Sequence, residues 1–220
     1  QRRHQKLIEE SPSTGIDAKT REKMGKFASK LVKGIGYDSV GTLEFLVDKS
    51  MNFYFMEMNT RIQVEHTVSE EITGVDLVKE QIRVAAGEKL SISQKDIHIN
   101  GHVIECRINA EDSENGFLPS SGILETYIPS GGIGVRIDSH SYQNYEIPPY
   151  YDSMIAKLIV KGKNREEAIS RMKRALKEFI IEGVDTTIPF HLKVLDNEDF
   201  KKGTVYTNFI ETHFKEVLGK

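Results

Sequence analysis

The chain has 220 residues, which is enough for one or two domains with a real hydrophobic core. Its 30 basic and 33 acidic residues give a net charge of −3, which argues against nucleic acid or a membrane surface as the main partner. The single cysteine, Cys106, excludes an internal disulfide and fits a reducing, cytoplasmic location, and no apolar run is long enough to span a membrane. No signal peptide opens the chain. Because the first residue is Gln rather than Met and the opening QRRHQK resembles the interior of a protein, we expect a fragment of a longer protein.

The first hundred residues predict helices on both sides of one β-hairpin. Asp17 fits the N-cap of a first helix that Gly36 ends. Residues 42–48 and 53–58 are rich in β-branched and aromatic side chains, and the polar residues between them predict a hairpin with a four-residue loop. Two further helical segments are expected after the hairpin, over residues 68–72 and from Asp76 to Gly87.

The hairpin register brings two carboxylates together. A symmetric loop pairs Asp48 with Phe53, and it places Glu44 opposite Glu57 at about 5 Å on one face. Two such carboxylates repel each other, so either one is protonated or a cation lies between them. Hard oxygen ligands in this number suit Mg²⁺ that also holds substrate phosphates. A different register, or a charged pair on the surface, remains the alternative.

From Glu57 onward, polar and apolar residues alternate as they do in an extended strand. An extended chain places five polar side chains on one side, namely Glu57, Asn59, Arg61, Gln63 and Glu65. A solvated strand face is the alternative. However, such a face rarely combines two carboxylates, two amides and one arginine without any Lys, Ser or Thr. The pattern therefore favours a functional face.

The segment after residue 100 predicts an antiparallel sheet followed by helices, which makes the whole chain α+β. The expected strands are 102–109, 122–128, 135–138 and 154–160. The expected helices are a long one over 164–182 and two shorter ones over 188–195 and 208–218. Cys106 alternates with apolar neighbours and is expected in the core. Arg107 shares a strand face with Glu105, which by itself indicates an ordinary ion pair.

Four motifs of the chain resemble the biotin carboxylase family, a branch of the ATP-grasp enzymes. They are TLEF at 42–45, EMNTRIQVEH at 57–66, ECRINAED at 105–112 and PPYYDSMIAKLI at 148–159. The resemblance runs from Gln1 to the C-terminus. It implies that residues 1–99 are the C-terminal part of an ATP-grasp domain, with an antiparallel sheet and helices. Residues 100–220 would then be the biotin carboxylase C-terminal domain.

The resemblance implies chemistry for particular residues. Family members use ATP to activate bicarbonate as carboxyphosphate and then carboxylate biotin on a carrier protein. Three residues would hold Mg²⁺ or Mn²⁺ on the ATP phosphates, namely Glu44, Glu57 and Asn59. Arg61 would bind bicarbonate with its planar fork, aided by Gln63 and the Val64 backbone.

The resemblance implies catalytic roles for two further residues. Glu65 would be the general base that deprotonates bicarbonate. Arg107 would stabilise the enolate oxygen of biotin. Three weaker correspondences place residues near the nucleotide, namely Gln1, His4 and Leu46.

The resemblance also implies partners. It is strongest to the branch that serves bacterial acetyl-CoA carboxylase in fatty acid synthesis. It therefore implies a biotin carboxyl carrier protein, carboxyltransferase subunits and a homodimer through the C-terminal domain, with the loop 131–136 as a candidate contact. Thr67 departs from the Pro common at that position. The family's N-terminal domain and its glycine-rich phosphate lid are not matched, so we expect the fragment alone to be inactive.

Two alternatives stay open. The same module occurs in pyruvate, propionyl-CoA and methylcrotonyl-CoA carboxylases, and the motifs do not distinguish these. An interpretation from another class is a non-catalytic folding or dimerisation module.

Overall fold

The structure is a computed structural model that describes Gln1 and residues 5–215. It divides into two compact units. The hairpin unit is Ser13–Ile99, and the sheet unit combines Gln1–Pro12 with Asn100–Lys220. The predicted family domains, 1–99 and 100–220, stay a prediction. Within the described part of the chain, no helix is long and apolar enough to cross a membrane.

The first half of the chain contains three helices and the start of the larger sheet. Its elements are β1 (Ile8–Ser11), α1 (Ala18–Gly34), β2 (Thr42–Val47), β3 (Phe53–Asn59), α2 (His66–Thr73), α3 (Leu77–Ala85) and a short 3-10 helix (Gln94–Asp96).

The second half, as far as residue 215, contains most of the described strands and four helices. Its strands are β4 (His102–Asn109), β5 (Glu111–Asp112), β6 (Leu118–Pro119), β7 (Gly122–Ile123), β8 (Thr126–Ile128), β9 (Val135–Ser139), β10 (Glu146–Ile147), β11 (Met154–Gly162) and β12 (Ile180–Glu182). Its helices are α4 (Arg165–Glu178), α5 (Ile188–Asp196), α6 (Glu198–Lys202) and α7 (Phe209–His213). The pairs that these strands form are antiparallel, which confirms the α+β class.

The predicted helix ends of the hairpin unit are confirmed. The Asp17 carboxylate accepts a hydrogen bond from the Thr20 amide at 2.6 Å and begins α1. Gly36, just beyond the end of α1, has a φ of +67°, which a residue with a side chain rarely adopts. The Asp76 carboxylate likewise begins α3.

The hairpin loop has five residues rather than the predicted four, because Asp48 belongs to it. The Asp48 carboxylate accepts hydrogen bonds from the Ser50 and Asn52 amides, each at 2.9 Å. Val47, not Asp48, therefore pairs with Phe53. A β-bulge beyond Phe45 restores the register, so that Glu44 pairs with Glu57 as predicted. Two deviations from the expected hairpin thus cancel at the carboxylates.

A four-stranded sheet in the order β1-β4-β11-β9 organises the sheet unit. One face carries the core, where Cys106, Leu158 and Met172 of helix α4 are fully buried. This confirms Cys106 as a core residue, and burial raises the pKa of its thiol well above the usual value. The opposite face carries polar side chains of the same strands.

The long helix predicted over 164–182 is shorter in the structure. Helix α4 ends at Glu178, and Ile181 instead pairs with Tyr127 in the β12–β8 ladder. Consecutive isoleucines favour a strand, and the Phe179 ring packs edge-on against Tyr127 at 5.4 Å. The segment 122–128 forms two short strands, and the sequence does not predict α6. The helix expected over 208–218 is Phe209–His213, and residues 216–218 lie outside the described residues.

Candidate functional site

The hairpin unit places the two predicted metal carboxylates next to one amide. The Asn59 side-chain nitrogen donates to Glu57 Oε1 at 2.9 Å and lies 3.5 Å from Glu44 Oε1. These two oxygens therefore cannot be farther apart than the sum of those distances. Glu44 is half-buried and Glu57 is exposed, so the pair opens to solvent on one side.

The strand expected to continue through Glu65 ends at Asn59, which corrects the prediction of one extended polar face. Residues 60–65 form a turn that leads into helix α2. Backbone hydrogen bonds close this turn, since the His66 amide donates to the Gln63 carbonyl at 3.2 Å. The His66 ring Nδ1 also donates to that carbonyl, at 2.8 Å.

The turn nevertheless brings polar groups back to the carboxylates. The buried Gln63 amide donates to Glu44 Oε1 at 2.8 Å. The Arg61 guanidinium lies 3.5 Å from the Asn59 side-chain oxygen and is exposed. Four of the predicted residues therefore form one hydrogen-bonded group with Asn59, although they do not lie on one strand. We call Glu44, Glu57, Asn59, Arg61 and Gln63 the hairpin cluster.

The remaining predicted residues of this unit lie beside the cluster. Glu65 immediately precedes α2, and its side chain forms no capping hydrogen bond with that helix. It lines a cleft of about 710 Å³ together with Gln63, Arg21 and Thr42. Val64 is half-buried. Leu46 lies on β2 with about half of its surface exposed.

The hairpin cluster suits a hard divalent cation. It offers two carboxylates as oxygen donors, which Mg²⁺ and Mn²⁺ prefer. The Asn59 amide presents its nitrogen to these carboxylates, so its oxygen would reach an ion only after the amide rotates. Magnesium sites use few protein carboxylates when substrate phosphates supply the other ligands. The residues therefore fit a metal that is shared with a phosphate.

The sheet unit holds Arg107 on the polar face of β4. Its Nε donates to Glu9 Oε1 of β1 at 2.7 Å, an ion pair between strands. The ladder places Lys157 of β11 directly opposite Arg107. Lys157 Nζ is 3.6 Å from an oxygen of Asp138. Two cations side by side repel each other, and the carboxylates on either side offset that repulsion.

Of the two nucleotide contacts predicted at the N-terminus, the structure describes Gln1 but not His4. The Gln1 side-chain oxygen accepts from the amides of Leu7 and Ile8 at 2.6 and 2.8 Å. Its nitrogen donates to the Ile8 carbonyl at 2.7 Å. This amide therefore binds the chain's own backbone at the start of β1. His4 lies outside the described residues.

Sequence reasoning missed the residues that surround Arg107. Lys157 interrupts the apolar run of β11, and a charged residue in a buried strand is a signal that it has a partner. His191 likewise lies in an apolar stretch of α5. Glu9 carried no such signal, since it sits in a short mixed-charge segment.

Comparisons with known proteins agree with this architecture. Residues 1–93 match the family model "Carbamoyl-phosphate synthase L chain, ATP binding domain". Residues 105–212 match "Biotin carboxylase C-terminal domain". The chain is thus an ATP-grasp protein with an ATP-binding domain.

Relatives with high identity cover the whole chain. It is 58% identical over 220 residues to biotin carboxylase 1 of Bacillus subtilis, covering 100% of this chain and 48% of that protein. It is 60% identical over 213 residues to a pyruvate carboxylase subunit of Methanothermobacter thermautotrophicus, covering 97% and 43%. The chain belongs to the biotin carboxylase family.

A solved structure extends the likeness to the fold. The biotin carboxylase domain dimer of Hydrogenobacter thermophilus 2-oxoglutarate carboxylase, in complex with MgADP, ADP and bicarbonate, superimposes with a TM-score of 0.95 at 52% identity. That match covers 100% of this chain and 48% of the other. The chain therefore spans about half the length of the relatives it matches.

Proposed function

We propose that this chain is part of a biotin carboxylase that uses ATP and bicarbonate, through carboxyphosphate, to carboxylate biotin on a carrier protein. Residues 1–99 would contribute the end of the ATP-grasp domain, and residues 100–220 the C-terminal domain. The observation that carries the proposal is the hairpin cluster, in which Glu44 of the TLEF motif faces Glu57 of the EMNTRIQVEH motif.

The hairpin cluster would hold Mg²⁺ or Mn²⁺ through Glu44, Glu57 and the Asn59 amide oxygen. Such an ion, when bound, neutralises charge on the ATP phosphates during phosphoryl transfer. The Gln63 amide, at 2.8 Å from Glu44, fixes that carboxylate on one side. Leu46 would contact the adenine, and Gln1 and His4 would lie near the nucleotide.

The turn after β3 would bind and activate bicarbonate. Arg61 has a planar fork of N–H donors that matches the oxygens of a carboxylate-like anion. The Gln63 and Val64 groups would add donors. Glu65 would take the bicarbonate proton, because it lines the cleft beside Gln63.

Arg107 would act in the second step, on biotin. The ureido oxygen of biotin becomes negative when N1′ loses its proton to a base, before N1′ attacks CO₂, and a fixed cation stabilises this charge. The ion pair with Glu9 holds the guanidinium on the polar sheet face. Lys157, directly opposite, makes this face more favourable for an anion.

Partners are proposed from the relatives. The Hydrogenobacter structure is a dimer, and Ile133 of the loop 131–136 is 87% exposed here. We therefore propose a homodimer through the sheet unit and this loop. A biotin carboxyl carrier protein and carboxyltransferase subunits would complete an acetyl-CoA carboxylase of fatty acid synthesis, located in the cytoplasm.

A second candidate concerns the final acceptor. The 60% identity to a subunit of a pyruvate carboxylase favours a keto acid as an alternative to acetyl-CoA. The residues proposed for the first half-reaction are the same in either case.

The complete gene product tests the proposal directly. We expect ATP cleavage that requires bicarbonate and rises with added biotin, and we expect carboxybiotin as the product. Omission of bicarbonate is the matched control. ATP cleavage that ignores both bicarbonate and biotin would contradict the proposal. Supplying acetyl-CoA or pyruvate with the partner subunits then distinguishes the two acceptors.

A further inference from the structure

The backbone carbonyl of Arg107 accepts two side-chain hydrogen bonds from one helix. The Thr187 hydroxyl donates to it at 2.8 Å, and the His191 Nε2 donates at 2.7 Å. Both side chains are fully buried, at 0% exposure. Thr187 immediately precedes helix α5, and His191 lies one turn into it.

The Thr187 hydroxyl bridges the helix to the strand. Besides donating to Arg107, it accepts a hydrogen bond from the Asn109 amide at 3.0 Å, and the Thr187 amide donates to the Asn109 carbonyl at 3.1 Å. A threonine at this position of a helix ordinarily caps the first turn. Here it forms no such bond with α5. Its hydrogen bonds go to β4 on both sides of residue 108.

His191 is held in one protonation form. Because a carbonyl can only accept, Nε2 must carry the proton. Burial lowers the pKa of His191 to about 4, so the ring is neutral near pH 7. Its Nδ1 has no hydrogen-bond partner within the described residues. An unpaired buried nitrogen is costly, and an apolar side chain would fill the same space without that cost.

We infer that Thr187 and His191 are positioning residues for Arg107. They fix the β4 backbone at the Arg107 carbonyl, while Glu9 fixes the guanidinium at 2.7 Å. Arg107 is thereby held at two points, by hydrogen bonds to its backbone carbonyl and by an ion pair to its guanidinium. This inference rests on the proposed role of Arg107 in carboxylating biotin.

A positioning role for Thr187 and His191 predicts a different result from a role that only attaches α5 to the sheet. A displaced cation stabilises the enolate less well, because catalytic groups lose much of their effect when they shift by about 1 Å. The biotin step should therefore weaken, while ATP cleavage driven by bicarbonate continues. A purely structural role would reduce both activities together, in proportion to the folded protein.

The experiment uses four variants of the complete gene product. His191→Leu removes one donor, and His191→Gln keeps an N–H at the position of Nε2. Thr187→Val removes the hydroxyl with the same shape, and Thr187→Ser keeps it. Each sample gives two rates, carboxybiotin formation and phosphate release without biotin. Their ratio does not depend on the fraction of folded enzyme, so a partly unfolded variant still gives a result.

We expect the ratio to fall about 3–10-fold in His191→Leu and Thr187→Val, the effect of one hydrogen bond. His191→Gln and Thr187→Ser should keep this ratio close to the wild-type value. In an Arg107→Ala background, His191→Leu should lower the ratio no further. An unchanged ratio in His191→Leu and Thr187→Val, or an additive loss in the double variant, would overturn the inference.

Arg107→Ala separates this inference from the function on which it rests. If Arg107→Ala lowers the ratio but the Leu and Val variants do not, only the positioning role fails. If Arg107→Ala itself leaves the ratio unchanged, the proposed role of Arg107 fails, and the positioning role fails with it.

Discussion

The hairpin cluster and the surroundings of Arg107 are built in opposite ways. In the hairpin cluster, Gln63 reaches Glu44 across 19 positions of sequence, and Asn59 reaches Glu57 across two. Arg107 instead depends on Glu9, 98 positions away, and on His191, 84 positions away. The first group is held by one hairpin and its turn, whereas the second joins β4 to two distant segments, β1 and α5.

Exposure follows the same division. Glu57 and Arg61 are exposed, so a phosphate or bicarbonate can approach them from solvent. The Arg107 side chain is only 17% exposed, and its backbone is clamped by fully buried groups. The proposed roles match this difference in exposure. Binding of small hydrated ions requires access from solvent, whereas stabilising a single oxyanion requires a cation in a fixed position. The comparison indicates that the two proposed half-reactions should be separable by mutation.

The largest expected effect concerns Glu65. In the complete gene product, Glu65→Gln keeps the shape of the side chain but loses the base. We expect bicarbonate-dependent ATP cleavage to fall about 10²–10⁴-fold, the contribution of a positioned proton acceptor. Glu88→Gln, an exposed glutamate of the same unit, is the matched control. Equal rates for Glu65→Gln and wild type would contradict the proposal that Glu65 is the general base.

Core stability should differ between the two units. Met172 is fully buried in the sheet unit, whereas Phe27 of helix α1 is 40% exposed. Met172→Ala should reduce the free energy of unfolding by about 2–5 kcal/mol, because it leaves a cavity. Phe27→Ala should cost clearly less. Urea unfolding of both variants measures this, and a larger loss for Phe27→Ala would contradict the assignment of the better-packed core.

The anchor of Arg107 predicts a pH dependence of stability. An unfolded histidine has a pKa of about 6.5, and burial lowers the pKa of His191 to about 4. As the pH falls, the unfolded state therefore binds the proton first. The contribution of His191 to the free energy of unfolding is fully present above about pH 6.5 and is lost as the pH falls toward about 4. We expect this histidine to contribute on the order of 3 kcal/mol to that loss.

His191→Gln isolates the contribution, because glutamine does not titrate. Unfolding free energies between pH 4 and 7 should fall less steeply in His191→Gln than in wild type. Identical slopes would show that the His191 pKa is not lowered by burial, and they would weaken the description of a neutral buried anchor.

The smallest of these effects concerns metal binding by the hairpin cluster. Glu57→Gln removes one of two facing carboxylates, so half-maximal ATP cleavage should require more Mg²⁺. We expect a shift of roughly 10–100-fold in the Mg²⁺ concentration, the range measured for the loss of supporting residues at metal sites. Asp48→Asn, at the loop end of the same hairpin, is the control. Equal shifts in both variants would exclude a specific role for Glu57.

The sequence could predict the hairpin cluster because its partners are close along the chain. Strand propensity and one polar pattern were enough to place Glu44 opposite Glu57. The same pattern failed after Asn59, since a period of two fits a strand and also the turn that the His66 hydrogen bonds close. The five-residue loop was missed because Asp48 caps it with its side chain.

The partners of Arg107 could not be predicted in this way. No local pattern links β4 to β1 or to α5, since those contacts depend on how distant segments pack. The end of α4 has a similar cause, because the pairing of Ile181 with Tyr127 overrides a helical pattern. Family resemblance supplied a role for Arg107, but only the structure supplied its anchors.

The most direct test of this account compares Glu65→Gln with Arg107→Ala in the complete gene product. Phosphate release with bicarbonate and carboxybiotin formation are measured separately for each variant. The account predicts that Glu65→Gln loses both products, because bicarbonate is never activated. It predicts that Arg107→Ala keeps most of the phosphate release and loses carboxybiotin. If Arg107→Ala lost phosphate release and carboxybiotin in equal proportion, as Glu65→Gln is expected to do, that result would contradict the division of the half-reactions between the two units.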